Sequence, residues 1–385
     1  MKEIYLDNAA STAVYENVAD YLSEQYKSNY ANPSSAHKAG IRANREVEEA
    51  TKKILSFYGL KDAKWNVYFT SGATESANLA IKGTMEKFDD PSKAKIITTQ
   101  IEHPCVGKVC EYYGAKGTDT VFLPTDKYGR VDLEKLESEI NDKTKIVSII
   151  FVSNETGIIQ DIRTIGKIIK KKNPRTVFHV DATQGYLEKL PTDDVDMISI
   201  SAHKFHAPKG VGCLMVRKGI TLSPIIHGGG HQGGIRSGTV NSPLIGAMAL
   251  ALETLKENDP ARKVREIRNY LYEKVVENFG EDVVNSKIYE ADYSPHILSI
   301  SFDGLNGSHI LYNLEEKGIY VSTSSACSTH SKEKSVLEKM GMTNKRAQGT
   351  VRISISEFTT KEDIDIFTSS LSEITGRLKK LYRGK

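Results

Sequence analysis

No run of about 18 apolar residues occurs in the sequence, so no membrane-spanning helix is expected. The opening Met-Lys-Glu-Ile-Tyr-Leu-Asp lacks the apolar core of a secretory signal. Cysteine is scarce: Cys105, Cys110, Cys213 and Cys327 are the four in 385 residues, with no C-x-x-C and no Cys/His cluster of zinc-finger spacing. A disulfide framework suits small secreted domains rather than a chain of this length, and no metal centre is expected. An excess of either charge is also missing. Lys plus Arg number 52 against 49 Asp plus Glu, a formal net charge of +3. That balance gives no electrostatic reason to expect nucleic acid or a membrane surface as a partner. Repeats and low-complexity tracts are absent. What remains is a soluble protein of a reducing compartment, expected in the cytoplasm.

The composition that is present, 39% hydrophobic and 26% charged, is that of an ordinary globular chain. Residues 67–70, 95–99, 118–123, 146–152, 177–180, 197–201 and 211–216 read as strands. Segments 75–88, 104–113, 133–140 and 162–172 between them read as helices. Residues 146–152 are almost wholly apolar, the pattern of a strand buried on both faces. Such alternation predicts an α/β fold with a mostly parallel sheet. The uncharged stretch 219–235, interrupted by glycines and Pro224, reads as strand then loop. From Ser242 the texture changes to α+β: helices over 242–258 and 261–279, strands at 297–302, 320–323 and 351–356, and helices over 308–317 and 361–382. Two further helices, 14–26 and 37–58, precede the first strand of the alternating region.

In open α/β sheets ligands bind beyond the carboxyl ends of the strands. The first of these strands is followed by Ser71-Gly72-Ala73-Thr74-Glu75-Ser76. Free N–H groups and the positive dipole end would make an anion site there. The same residues also read as an ordinary cap, with Ser or Thr at the N-cap and Glu75 in the first turn. Strand 95–99 leads to Glu102-His103, although a single histidine is as readily structural. Strand 146–152 leads to Ser153-Asn154-Glu155-Thr156-Gly157. Strand 177–180 leads to Asp181, which should be buried and so needs a cation or strong donors. Strand 197–201 leads to Ala202-His203-Lys204, a lysine where its ammonium must be used or neutralised. An anion cradle, an imidazole, an amide, a buried carboxylate and a desolvated lysine suit pyridoxal 5'-phosphate. Its phosphate needs the helix N-terminus, its carbonyl carbon a lysine, and its pyridine nitrogen an acid.

The chain resembles the cysteine desulfurases, pyridoxal-phosphate enzymes of the class V aminotransferase group. The resemblance runs from Tyr5-Leu6-Asp7-Asn8-Ala9-Ala10 to Val351-Arg352-Ile353-Ser354. It is carried by Asn32-Pro33-Ser34-Ser35-Ala36-His37, by the Ser71 to Ser76 run, and by Glu102-His103, Asn154-Glu155-Thr156-Gly157, His179-Val180-Asp181-Ala182-Thr183-Gln184 and Ser201-Ala202-His203-Lys204. Further on come His227-Gly228-Gly229-Gly230-His231, Arg236-Ser237-Gly238-Thr239 and Ser324-Ser325-Ala326-Cys327. It implies an aspartate-aminotransferase-like (fold type I) large domain over residues 1–250, holding the cofactor. A smaller α+β domain, 251–385, would carry the cysteine loop, and the N-terminal helices could pack with either.

By the same resemblance Lys204 attaches the cofactor, Asp181 pairs with the pyridine nitrogen and Gln184 bonds the ring hydroxyl. His103 stacks on the ring and handles protons. Ala73, Thr74, Ser201 and His203 hold the phosphate, and in a homodimer Thr239 reaches the phosphate of the other subunit. Asn154, beside the cofactor, holds the substrate carboxylate with Arg352 and Asn32; a guanidinium fork suits that task. Without the resemblance, Arg352 reads equally as an exposed strand charge.

Cys327 lies in a small, polar stretch free of Phe, Tyr and Trp, Ser322 to Ser331, that reads as a loop. A cysteine there is exposed and reactive, whereas Cys105, Cys110 and Cys213 lie on helix or strand patterns and read as inert. The chain also departs from the family's pattern. Thr323-Ser324-Ser325 replaces a commoner Ser-Gly-Ser, Gln232-Gly233-Gly234 supplies no Arg between His231 and Arg236, and Pro104-Cys105 stands where Lys-Ala is common.

The reading is a cysteine desulfurase that converts L-cysteine to L-alanine and leaves a persulfide on Cys327. The sulfur would pass to an acceptor protein, a scaffold or thiolation enzyme serving iron–sulfur clusters or thiolated tRNA and cofactors. Selenocysteine lyase or cysteine-sulfinate desulfinase is the alternative with the same cofactor residues. A plain aminotransferase has no use for a loop cysteine. A non-catalytic scaffold for sulfur acceptors would not need the full set of cofactor residues.

Overall fold

The structure, a computed structural model, describes residues 2–286, 292–323 and 334–383. The chain opens with a two-residue strand, β1 (Ile4–Tyr5), and two helices, α1 (Glu16–Ser28) and α2 (Lys38–Phe57). Strands and helices then alternate: β2 (Trp65–Thr70), α3 (Ala73–Met85), β3 (Lys95–Thr99), α4 (Pro104–Ala115), β4 (Asp119–Leu123), α5 (Leu133–Glu139), β5 (Thr144–Ile150), α6 (Ile162–Lys172) and β6 (Val177–Asp181). Two more strands, β7 (Met197–Ser201) and β8 (Gly212–Arg217), complete a seven-stranded sheet of order β2-β8-β7-β6-β5-β3-β4. Every neighbouring pair is parallel except the two that involve β8. The mostly parallel sheet expected from the alternation is therefore present, with one reversed strand.

Both faces of the sheet are covered, and the side-chain period of two assigns residues to each. Ile96, Ile146, Met197 and Leu214 pack with α3 and α4. Their neighbours Ile97, Val147, Ile198 and Met215 face the opposite layer, with Ile54 of α2 and Ile162, Ile165 and Ile169 of α6. Asp132 and Asp161 start α5 and α6 by accepting the N–H groups of Lys135 and Thr164, three residues on. Among the described residues no helix is long and apolar enough to cross a membrane.

After β8 the chain forms α7 (Ser242–Asn258), whose apolar residues join the sheet core and pack on α1 and α2. Past Asp259, in the left-handed region at φ 40°, and Pro260, α8 (Ala261–Phe279) faces a different core. That core also takes β9 (Ile297–Ser301), α9 (Gly307–Glu315), β10 (Ile319–Tyr320), β11 (Thr350–Ser354) and α12 (Lys361–Arg383). The short α10 (Val336–Lys339) and α11 (Asn344–Gln348) precede β11. Ile4 and Leu6, from the start of the chain, are buried in this second core, and β1 pairs in parallel with β10.

Several element ends differ from the pattern, each for a visible reason. β5 stops at Ile150 because Val152 turns back to bridge Ile159 around Gly157, which takes φ 78°. β10 ends at Tyr320, and Ser322 instead bridges Arg352 of β11. Stretch 219–235 forms no strand beyond a bridge from Ile226 to Arg236. The Gln232 amide explains where the pairing goes. It accepts the Phe69 N–H at 2.7 Å and donates to the Phe69 carbonyl at 2.9 Å, so one side chain does an edge strand's work on β2.

Gly212 sits between β2 and β7, opposite both Thr70 and Ser201. A Cβ there would lie 2.5 Å from the Ile200 carbonyl oxygen and 2.7 Å from Gly72 Cα, both rigid backbone. Overpacking of this kind costs about 1–3 kcal/mol. Gly212→Ala is expected to lower unfolding free energy by that amount in denaturant titration; an unchanged midpoint would show that the close approach is absent in solution.

Candidate active site

Because only β8 is reversed, the carboxyl ends of β2, β7, β6, β5 and β3 share one edge with the start of β8. Thr70, Gly212 and Ser201 form one lateral row along it. Just beyond Thr70 the chain turns through Gly72, at φ 150°, into α3, with no side chain capping the helix. Instead the Glu75 carboxylate reaches back to accept the Ser71 N–H at 2.8 Å. No partner for the N–H groups of Ala73 and Thr74 is found among the described residues. Glu75 is neutralised by Arg236 at 2.7 Å. Burial opposes its ionisation, but Arg236 and Ser71 hold the carboxyl below its usual range. The helix start thus keeps its positive end and open donors, while Ser201 Oγ lies against Gly72. Of the two readings of this run, a Ser or Thr cap is not what forms.

Asp181 ends β6 with 2% of its surface exposed. Its Oδ1 accepts the Thr183 N–H at 3.1 Å, the Thr183 hydroxyl, and the Ser199 hydroxyl at 3.4 Å. Among the described residues its Oδ2 takes only the thiol of Cys105, at 3.7 Å. Burial, with the nearby Asp181 and Glu102 carboxylates, pushes the Cys105 thiol up, so it stays protonated as a donor. No cation lies within 4.0 Å of the Asp181 carboxylate among the described residues. A buried carboxylate satisfied only by neutral donors is short of one positive charge. A protonated ring nitrogen would supply it, which is the fit that pyridoxal phosphate requires.

Lys204 closes a single turn of 3-10 helix after β7. Its ammonium donates to the carbonyls of Ala9 at 2.6 Å and Ala10 at 2.9 Å. Burial lowers its pKa to about 8; the Arg352 charge acts the same way, while Asp7 and Asp181 oppose it. His203 points Nδ1 at the Ser11 hydroxyl, 3.3 Å away. Burial, then Lys204 and Lys209, bring its pKa down to about 4, so the ring is neutral. Gln184 donates to the Ala9 carbonyl at 2.8 Å and meets His296 Nε2 through its own oxygen at 3.2 Å. One amide N–H remains for a ligand. His103 caps α4, its Nδ1 accepting the Cys105 N–H at 3.2 Å. Desolvation lowers its pKa as well, with Asp181 opposing and Lys204 and Arg352 reinforcing, which favours the neutral ring.

Arg352 reaches this edge from β11. The reading of an exposed strand charge does not hold, since it is 8% exposed. It donates to the Asn154 carbonyl and to Asp7 Oδ1, each at 2.9 Å, and its Nε is buried without a partner. The Asn154 side chain donates to Glu155 at 3.2 Å. Asn32 and Thr239 are both exposed and are not drawn into this cluster. Asn32 forms a local turn by accepting the Ser34 N–H. Cys327 lies outside the described residues.

Three contributors went unassigned by sequence reasoning. Asp7 binds both Arg352 and the Ser322 hydroxyl, at 2.9 and 2.7 Å. The carbonyls of Ala9 and Ala10 anchor Lys204. Glu102 accepts the Ile150 N–H at 2.9 Å and the Thr99 hydroxyl at 2.8 Å, tying the ends of β3 and β5. Burial pushes its carboxyl up to about 8, so it is protonated at neutral pH. The motif from Tyr5 to Ala10 was the available signal for Asp7 and the carbonyls; for Glu102 it was its place next to His103.

Comparison with known proteins agrees with this arrangement. Residues 4–367 match the family model described as aminotransferase class-V. A cysteine desulfurase of Nostoc sp. is 35% identical over 388 residues, covering 99% of this chain and 95% of that protein. The solved structure of a NifS-like protein superposes with a TM-score of 0.90 at 37% identity, covering 98% of this chain and all of that one. SspA in complex with cysteine gives 0.80 at 31% identity, with 93% of this chain and all of that one covered.

The depressed Lys204 amine gives a measurable consequence. From pH 8 up to its ordinary pKa of 10.5 the unfolded chain binds the extra proton, so stability gained from this group rises with pH across that window. In cofactor-free protein, Lys204 should react with an amine-directed reagent with a midpoint near pH 8, read by peptide mass spectrometry. A midpoint near that of surface lysines would show that the amine is not desolvated.

Proposed function

The chain belongs to the class V aminotransferase family, and we propose that within it the protein is a cysteine desulfurase: L-cysteine and the Cys327 thiol become L-alanine and a Cys327 persulfide. The substrate C–S bond breaks, an S–S bond forms at Cys327 Sγ, and the thiol's proton ends on the alanine product, so no external oxidant or reductant is needed. The observation that carries this reading is Asp181, buried without a cation beside the desolvated amine of Lys204.

Pyridoxal 5'-phosphate, bound here, supplies an electron sink for the pair left when the substrate Cα–H is broken. The residues of this chain do the rest. Asp181 holds the pyridine nitrogen, with Cys105 and Thr183 fixing its carboxylate. The N–H groups of Ala73 and Thr74, with Ser201 and His203, hold the phosphate. Gln184 would donate to the ring hydroxyl oxygen and His103 would stack on the ring. Lys204, its pKa brought down to about 8 by burial, would be increasingly neutral above that pH, able to bond the cofactor's carbonyl carbon or to carry the Cα proton. Arg352, with Asn154 and Asn32, takes the substrate carboxylate; its partnerless Nε supports this. In sequence Cys327 lies five residues after Ser322, whose backbone bridges that of Arg352.

The two apolar cores support a division into a large cofactor unit, about residues 1–250, and a small unit, 251–385, to which Ile4 and Leu6 also contribute. A cytoplasmic, reducing compartment suits the free thiols of Cys105, Cys110 and Cys213 and a cysteine that must cycle through a persulfide. The persulfide sulfur passes to an acceptor protein that serves iron–sulfur clusters or thiolation.

Cys327→Ser is expected to bind pyridoxal phosphate and L-cysteine normally yet to lose alanine and sulfide production, because a hydroxyl is a poor sulfur-directed nucleophile where a thiolate is a strong one. Undiminished sulfide release by this variant would refute the persulfide route. Retained activity on selenocysteine or cysteine sulfinate, with wild-type protein inactive on cysteine, would favour the lyase or desulfinase instead.

Thr239 is exposed and among the described residues has no side-chain bond to the cleft of its own chain, which supports a role across a homodimer. Sedimentation should show a dimer, and Thr239→Ala should weaken pyridoxal phosphate binding several-fold; an active monomer would overturn this.

A further inference from the structure

We infer that His296, acting through Gln184, is a positioning residue that fixes which way the Gln184 donor faces in the cofactor site. This rests on the reading of Gln184 as the donor to the cofactor's ring oxygen. Gln184, His296 and Ser294 are buried, at 4%, 0% and 0% exposure, and form a single file of hydrogen bonds. The protons in that file can be assigned from chemistry alone.

A backbone carbonyl only accepts, so the Gln184 atom 2.8 Å from the Ala9 oxygen is the amide nitrogen. The amide oxygen therefore faces His296 Nε2, 3.2 Å away, and Nε2 must carry a hydrogen. Burial brings the His296 pKa down to about 3, with Arg352, Lys204 and Arg268 acting in the same direction, so the ring is neutral and has one N–H. Nδ1 is then a bare acceptor, and the Ser294 hydroxyl 2.6 Å away donates to it. The ring is further packed against Tyr186, centroid to centroid 5.0 Å.

The Ala9 carbonyl and the His296 Nε2–H together hold the face of the Gln184 amide, the Ser294 hydroxyl donates to the remaining ring nitrogen, and the amide keeps one N–H on Ala9 and one free. Without the imidazole donor the amide can turn over, setting an oxygen lone pair where the ring oxygen needs a proton. The Ala9 carbonyl is also an anchor of Lys204, so the file ends at the attachment lysine. His296 immediately precedes β9, which pairs with the strand carrying Arg352. The strand pair that holds the carboxylate clamp therefore also sets the ring donor.

The first test needs no cofactor and so separates this inference from the desulfurase reading. Histidine-15N NMR of the full, cofactor-free chain should show His296 as a neutral Nε2–H tautomer at pH 7; an Nδ1–H or doubly protonated ring would overturn the proposal. The second uses variants loaded with pyridoxal phosphate. His296→Leu should weaken cofactor binding roughly three- to tenfold, the range of one neutral hydrogen bond. It should also raise the pH midpoint of the cofactor's visible band, because negative charge on the ring oxygen loses a donor. His296→Gln, which keeps an N–H near the Nε2 position, should restore both. Wild-type affinity and midpoint in His296→Leu, or a His296→Gln as impaired as the leucine variant, would refute the role. If His296→Leu fails to fold, the tautomer and the glutamine variant's midpoint decide the question.

Discussion

A carboxylate kept in a protein interior without a cation is costly, and Asp181 is the point around which the rest of the site is arranged. Its neighbours are neutral donors: a hydroxyl and N–H from Thr183, a hydroxyl from Ser199 and a thiol from Cys105. They hold the carboxylate in place but do not cancel its charge. The nearby Glu102 is protonated in consequence, since burial and the field of Asp181 both disfavour a second anion. Lys204 stays on backbone carbonyls rather than collapsing onto the carboxylate. The charge deficit is thus preserved by geometry for a ligand to fill.

A second constraint joins the two cores. Asp7, near the start of the chain, pairs with Arg352 near its end, and Asn8 and Ala9 bond Ser354 on the same strand. The segment that follows passes over Lys204, with Thr12 bonding the His203 carbonyl. One stretch of about ten residues, from Leu6 to Tyr15, therefore touches Lys204, Arg352 and both apolar cores. Any anion that takes the Arg352 guanidinium would compete with Asp7, which ties that guanidinium to the seating of this segment.

Much of this was legible in the sequence for a simple reason. Apolar strands announce themselves, and a polar residue placed directly after one, as Asp181 and Lys204 are, stands at the ligand edge of any parallel sheet. What escaped depends on long-range pairing. β1 is two residues long and exists because β10, more than three hundred residues later, offers it a ladder. Periodicity alone leaves Arg352 a strand charge, and the resemblance is what assigned it to the site; its partner Asp7 went unassigned. The strand expected within 219–235 is absent because Gln232 satisfies β2 with a side chain, an option that no periodicity reports. Cys327, the residue that distinguishes the chemistry, was marked by the small polar residues around it, and its setting lies outside the described residues.

The placement of Ile4 and Leu6 in the second core has a consequence for how the molecule is made. Ile4 and Leu6 complete their contacts only with β10 and β11, which are synthesised more than three hundred residues later. The sheet of the large core can assemble during translation, because its strands are close in sequence. The site cannot, because the segment anchoring Lys204 is held by strands not yet made. High sequence separation of this kind slows folding. The nascent chain therefore carries a finished scaffold and an unfinished centre until β11 emerges, and the carbonyls that hold the Lys204 amine become ordered only then.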